Sequence, residues 1–214
     1  DLYKKACTPL NWHYDAFNLA AKKGITLFST PFSLRAAKLL KSFKAPLYKI
    51  ASLEITDLRL IELIASFKKP IIISTGASTL IEVKNAINLI RKYHNKIIIL
   101  HCVSGYPTRI EDANINRIKY LQSNFKNNMI GLSDHTNNIE SSLASVGLGA
   151  VAIEKHLKKN KNSKTLDSEF SITPNQLSQL KKQSVNIFKS LGELQKENKV
   201  DKGIKKMRRS IYAS

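Results

Sequence analysis

Apolar residues in this chain fall into short unbroken runs, separated by stretches where they recur every three or four positions. The runs are Ile25-Thr26-Leu27-Phe28-Ser29, Leu47-Tyr48-Lys49-Ile50-Ala51-Ser52, Pro70-Ile71-Ile72-Ile73-Ser74-Thr75-Gly76, Lys96-Ile97-Ile98-Ile99-Leu100-His101-Cys102, Met129-Ile130-Gly131-Leu132 and Ala150-Val151-Ala152-Ile153. Strands that are apolar throughout are buried on both faces, as in a parallel sheet covered by helices. The stretches between them carry the helical period over 11–24, 34–43, 58–67, 80–93, 115–125, 139–149 and 174–191, with Gly24 ending the first. Strands near 28, 50, 72, 99, 131 and 152, alternating with helices, predict βα units in one parallel sheet.

Polar residues collect where these strands stop, which is where parallel barrels keep their sites. The expected fold is therefore α/β, a (β/α)8 barrel of the TIM type. Six strands fall short of the eight that closure requires, so about six βα units are expected here, with the N-terminal units missing. The chain also opens without methionine. Residues 1–192 are expected to form the barrel, and the charged, weakly periodic tail at 193–214 a linker.

The strand-end residues are Ser29 and Thr30; Lys49, Ser52 and Glu54; Ser74 and Thr75; Ser104 and Tyr106; Ser133, Asp134 and His135; Glu154 and His156. Strand side chains alternate faces, so Ser133 shares a side with His135, and Glu154 with His156. Two imidazoles on neighbouring strand ends are candidates to chelate one divalent ion, with positions open for a carbonyl oxygen. Lys49 and the hydroxyls suit phosphate and carboxylate groups. Ser133-Asp134-His135 is not a hydrolase triad, because sequence neighbours on a strand point apart. His101, on a buried strand, is expected to be hydrogen-bonded structure. Glu154 is open to three roles: orienting a histidine, which ranks first, ligating a metal, or pairing in a buried ion pair.

Charge changes the picture less than its size suggests. A net +19 invites a nucleic-acid reading, but the lysines are spread over helix faces and are dense only at 158–164 and 202–209. No zinc-finger spacing or interleaved aromatic ladder accompanies them, so solvated surface charge is expected and no nucleic-acid partner. No apolar run approaches the ~18 residues of a membrane span. Cys7 and Cys102 lie far apart and fit reduced thiols, and the opening Asp1-Leu2-Tyr3-Lys4-Lys5 lacks a signal-peptide core. Together these predict a cytoplasmic protein.

Several motifs in order carry a family resemblance: Phe28-Ser29-Thr30-Pro31-Phe32, Tyr48-Lys49-Ile50-Ala51-Ser52-Leu53-Glu54, Ile73-Ser74-Thr75-Gly76, His101-Cys102-Val103-Ser104-Gly105-Tyr106-Pro107-Thr108, Gly131-Leu132-Ser133-Asp134-His135 and Ile153-Glu154-Lys155-His156. The chain resembles the sialic acid synthase family from about Leu2 to Ala213. That family condenses phosphoenolpyruvate with an N-acetylated amino-sugar aldehyde to make nonulosonic acids. The Lys-Ile-Ala-Ser-x-Glu form, the His-Cys-Val-Ser-x-Tyr-Pro-Thr form and the opening Leu2-Tyr3-Lys4-Lys5-Ala6 look more like its pseudaminic acid branch than its N-acetylneuraminate and legionaminate branches.

The resemblance implies that His135 and His156 bind Mn²⁺ or Mg²⁺, with Co²⁺ a further option. It implies that Lys49, Thr30, Ser52, Ser74 and Ser133 hold phosphoenolpyruvate. Glu54, Tyr106 and Asp167 would then face the sugar, and Glu154 would orient or supplement the metal shell. Ser104 stands where some members have Asn. An altrose-type diacetamido sugar is implied over N-acetylmannosamine. Family members also carry an earlier catalytic glutamate and a phosphate-binding lysine, and an antifreeze-like C-terminal domain toward which 193–214 would lead. They form homodimers at full length. Because this chain would hold only part of the family's active site, weak or no turnover is expected of it alone. Two other functions are open: a Schiff-base aldolase using Lys49, and a basic binding module.

Overall fold

The computed structural model describes residues 8–193 and 199–205. Five parallel strands form one sheet in sequence order: β1 (Tyr48–Ile50), β2 (Ile71–Ser74), β3 (Ile97–Cys102), β4 (Met129–Asp134) and β5 (Ile153–Lys155). The helices are α1 (Trp12–Lys22), α2 (Leu34–Ser42), α3 (Leu58–Ser66), α4 (Leu80–Arg91), α5 (Arg117–Asn124), α6 (Glu140–Gly147), α7 (Pro174–Leu191) and α8 (Lys199–Ile204). Four of them start at polar caps: Ser33, Asp57, Thr79 and Thr173 each accept a backbone N–H of the first turn. Thr79 with Glu82, and Thr173 with Gln176, complete reciprocal capping boxes.

Strand alternation divides the sheet into two faces. One face turns Tyr48, Ile50, Ile71, Ile73, Ile97, Ile99, Ile130 and Leu132 into the core, against Ile61, Ile64, Ile87, Ile90, Ile118 and Leu121 from the helices. We call this the outer face. The inner face carries Lys49, Ile72, Ser74, Ile98, Leu100, Cys102, Gly131, Ser133 and Glu154, as the register shows: Lys49↔Ile72, Ser74↔Leu100, Leu100↔Gly131, Cys102↔Ser133 and Ser133↔Glu154. Inner-face Ile72 and Ile98 are only half-buried, whereas their outer-face neighbours are fully enclosed. Gly131 has a steric reason: a Cβ there would overlap the Ala152 carbonyl oxygen and lie 2.7 Å from Leu100 Cδ2.

The expected first strand is a correction. Residues 25–30 run without regular secondary structure and make no ladder bond to β1 among the described residues, so the sheet has five strands rather than six. The Ile25 N–H is spent on the Ala20 carbonyl at 2.9 Å, closing α1, and the Ile25 side chain is 63% exposed. Two strand ends also shift. β1 stops at Ile50 because Ser52–Thr56 turns into a 3-10 helix, and β5 begins at Ile153, three residues later than expected. Residues 2–7, including Cys7 and the opening motif, lie outside the described residues, as does most of the expected linker at 193–214. Among the described residues no helix is long and apolar enough to cross a membrane.

Candidate active site at the strand ends

The inner-face residues meet at the carboxyl ends of β1 to β5. Lys49 is 5% exposed, and its Nζ lies 3.4 Å from Glu154 Oε2 across the sheet. Ser133 donates to the other carboxylate oxygen, Glu154 Oε1, at 2.6 Å. Glu154, its side chain 36% exposed, is thus the ion-pair partner of Lys49 and accepts from Ser133, and it makes no hydrogen bond to a histidine among the described residues. Asp167 is the carboxylate beside an imidazole instead, with Oδ2 3.2 Å from His156 Nδ1.

Gly76, two residues after β2, lets three polar groups close in. A Cβ there would overlap Ser104 Oγ and lie 2.9 Å from Ser52 Oγ and 3.1 Å from Cys102 Sγ. Its N–H donates to Ser52 Oγ at 3.0 Å. Ser74 Oγ, Ser104 Oγ and Glu54 Oε2 are buried with no hydrogen-bond partner among the described residues. Buried polar atoms are nearly always paired, so three unpaired in one mouth mark it as built for something polar. Burial pushes the Glu54 carboxyl up, opposed by its own backbone hydrogen bond and by Lys49.

His135 is buried and His156 half-buried, with ring centroids 5.3 Å apart. His135 Nδ1 sits 3.0 Å from the Val103 carbonyl, which can only accept, so the proton is on Nδ1 and Nε2 keeps its lone pair. The Asp167 carboxylate fixes the same tautomer on His156. Imidazoles fixed through Nδ1, with Nε2 left to bind, are what a divalent ion requires. The pair fits a metal on that ground. Among the described residues no three His, Cys, Asp or Glu side chains assemble into a cage, so the pair would leave most coordination positions open.

Phe170 packs edge-on to His135 and His156 at 5.8 and 4.9 Å, and Tyr106 lies 4.3 Å from His135. Burial, reinforced by nearby Cys102, Glu154, Asp167 and Glu54, pushes the Tyr106 hydroxyl up to about 12, so it remains a proton donor. Burial lowers His156, and the neighbouring His135 lowers it further, with Asp167 and Glu154 opposing. Burial would raise Cys102 and lower His135, but their contact at 3.9 Å, with Ser52, Ser133 and Val103, outweighs it and moves each the other way.

Two expected members stand apart. Thr30 is half-buried in the 25–30 segment, with no hydrogen bond or ion pair to the cluster among the described residues. Asp134 belongs to the outer face, where Lys155 Nζ lies 3.1 Å from its Oδ2. His101 is structural as expected: it is on the outer face, its Nε2 2.9 Å from the Ala113 carbonyl.

The NeuB family profile matches residues 1–196. The chain belongs to the NeuB family. It is 48% identical over 173 residues to the pseudaminic acid synthase of Helicobacter pylori, covering 80% of this chain and 51% of that protein. It is 37% identical over 209 residues to the N,N'-diacetyllegionaminic acid synthase of Campylobacter jejuni, covering 95% and 62%. The crystal structure of the N-acetylneuraminic acid synthetase of Leptospira borgpetersenii, in complex with citrate, superposes with a TM-score of 0.92 at 31% identity, over 100% of this chain and 75% of that one. The fold of this NeuB chain is thus α/β and barrel-like, its parallel sheet curled around the inner face. The chain spans about half the length of the pseudaminic acid synthases it matches. Sequence reasoning did not assign Cys102 or Phe170 to the NeuB site. The Cys102 signal was its even spacing from Ile98 and Leu100 on one strand; Phe170 carried none, because a loop brings it in.

Proposed function

We propose that this chain supplies the strand-end site of a nonulosonic acid synthase, most simply of the pseudaminic acid type. Such an enzyme joins phosphoenolpyruvate to an N-acetylated amino-sugar aldehyde, adds water and releases phosphate. One observation carries this: a buried lysine ammonium and unpaired serine hydroxyls share a mouth with two lone-pair-bearing imidazoles. Similarity to named pseudaminic and legionaminic acid synthases supports it.

Lys49 is an electrostatic clamp for the phosphate and carboxylate of phosphoenolpyruvate, held toward the mouth by Glu154. Ser52 and Ser74 donate to the same anionic oxygens, Ser133 joins them by turning its hydroxyl away from Glu154, and Gly76 leaves the space that Ser52 needs. Tyr106, still protonated near neutral pH, donates to a sugar oxygen. Glu54 and Ser104, each holding an unpaired buried oxygen, face the sugar with Asp167. His135 and His156 hold a divalent ion, Mn²⁺ or Mg²⁺ or Co²⁺, which when bound supplies Lewis-acid polarisation of the aldehyde. The bond-forming carbon is C3 of phosphoenolpyruvate, and phosphate departs with C–O cleavage. Barrel residues 1–192 and linker residues 193–214 are the matching domain assignment.

The test combines thermal shift with phosphate release. Mn²⁺ and phosphoenolpyruvate together are expected to raise the melting temperature of this chain, and the Lys49→Met variant to lose the phosphoenolpyruvate part of the rise. Phosphate release is expected with the altrose-type diacetamido sugar rather than N-acetylmannosamine when the assay uses the full-length gene product. No stabilisation of the chain by either ligand, or preferential turnover of N-acetylmannosamine, overturns the proposal in its metal or its sugar respectively.

A further inference from the structure

The two strand ends that carry the imidazoles are fastened together on the opposite face of the sheet. β4 and β5 pair at Ser133↔Glu154 and at Asp134↔Lys155. Alternation sends the first rung to the inner face and the second to the outer. The outer rung is an ion pair of 3.1 Å between Lys155 Nζ and Asp134 Oδ2, the side chains 3% and 1% exposed. Lys155 Nζ also donates to the Thr136 carbonyl oxygen. Asp134 Oδ1 accepts from the Thr136 N–H at 2.8 Å and from its hydroxyl at 2.7 Å, and Oδ2 accepts from Ser142 on α6.

The backbone on both sides of His135 is therefore held, through Asp134 and Thr136, by one ammonium rooted in the strand that leads to His156. The His135 carbonyl oxygen takes the Thr108 N–H at 2.9 Å. His156 follows Lys155 directly, and its own carbonyl accepts from the Ile172 N–H at 2.9 Å. A buried ion pair is a poor stabiliser compared with apolar packing of the same volume. Its placement between the Ser133↔Glu154 rung and the two histidines that follow the strands gives it a different use.

We propose that Asp134 and Lys155, completed by Thr136 and Ser142, are positioning residues that set the separation and orientation of His135 and His156. This rests on reading the two imidazoles as a ligand pair, and the test separates the two claims. The chain has five histidines, so ¹⁵N-histidine labelling gives a spectrum that can be assigned residue by residue. In the unsubstituted chain, Mn²⁺ is expected to broaden the His135 and His156 signals far more than those of His13, His94 and His101. Absence of that selectivity overturns the ligand reading alone.

The positioning claim is decided without metal. In the Asp134→Asn/Lys155→Met double variant, which removes both charges together, the metal-free signals of His135 and His156 are expected to move. The His13 and His94 signals are expected to stay, and the Mn²⁺ dissociation constant to rise about 10- to 100-fold, as for lost supports of metal ligands. Ser142→Ala removes only one hydroxyl from Asp134, and shifts of the same pair in the same direction are expected. If the double variant does not fold, Ser142→Ala decides on the same readouts. A folded variant with unmoved His135 and His156 signals overturns the proposal.

Discussion

On the outer face of β4 and β5, Asp134 accepts from Thr136 twice, from Ser142 and from Lys155, and almost none of the group meets solvent. On the inner face, Ser74, Ser104 and Glu54 each bury an oxygen that nothing among the described residues satisfies. Both groups are polar, both are buried, and they lie on opposite sides of one sheet. The outer group is complete, so its worth lies in holding backbone. The inner group is incomplete, and unpaired buried polar atoms cost stability unless a ligand pairs them. Completeness separates the Asp134 group from the strand-end mouth, although His101 on the outer face also buries an unpaired Nδ1.

Substitutions can break that contrast, and the largest effect falls on the outer face. Lys155→Ala leaves Asp134 buried and unpaired, and is expected to cost about 3–5 kcal/mol. At about 2–4 °C per kcal/mol this is a drop of at least ~6 °C in melting temperature by calorimetry. A drop under ~1 °C would show the pair is not structural. Gly131→Ala comes next, since its Cβ would overlap the Ala152 carbonyl oxygen where β4 meets β5. Overpacking of this kind is expected to cost about 1–3 kcal/mol, read from urea unfolding.

Ser74→Ala sharpens the inner side of the contrast. It removes an unpaired hydroxyl, so stability is expected to hold within about 1 kcal/mol or to rise. The affinity for phosphoenolpyruvate, read by calorimetric titration with Mn²⁺ present, is expected to fall about tenfold for the loss of a hydrogen bond to a charged group.

The smallest effect is a pH slope. Burial, with Arg117 adding to it, lowers His101, so the folded chain resists a proton that the unfolded chain takes up below about pH 6.5. Its contribution is present above that pH and is lost as pH falls toward the depressed folded value. His101→Gln is expected to flatten the fall of the urea midpoint between about pH 6.5 and 5. An unchanged slope would assign the fall to other groups.

Much of this was legible in the chain. Runs such as Ile71-Ile72-Ile73 state a strand of a parallel sheet, though the inner-face Ile72 is only half-buried, and alternation from Ser133 to His135 put both on the side where the structure has them. The segment 25–29 misled because its composition is that of a strand, while a strand also needs a partner edge and Ile25 had given its N–H to α1. Asp134 was grouped with the site because strand ends look alike in sequence; its face follows from the same alternation that placed Ser133. Glu154 was expected to orient a histidine and Asp167 to face the sugar, whereas Asp167 is the carboxylate beside His156. Which carboxylate reaches which imidazole depends on the loop after β5, and no periodicity describes a loop.

The Asp134–Lys155 rung also bears on how the chain reaches its fold. Side chains repeat every two residues along a strand, so a one-residue slip of β5 against β4 would turn Lys155 inward and press Glu154 and His156 against the helices. Such a slip would strand an ammonium and two carboxylates without their counter-charges. The same slip would turn Ile153 away from its place beside Leu132 on the outer face, so charge and apolar pattern penalise the misaligned sheet together. The ion pair thus adds a penalty of its own to any wrong register of the two strands that carry the site.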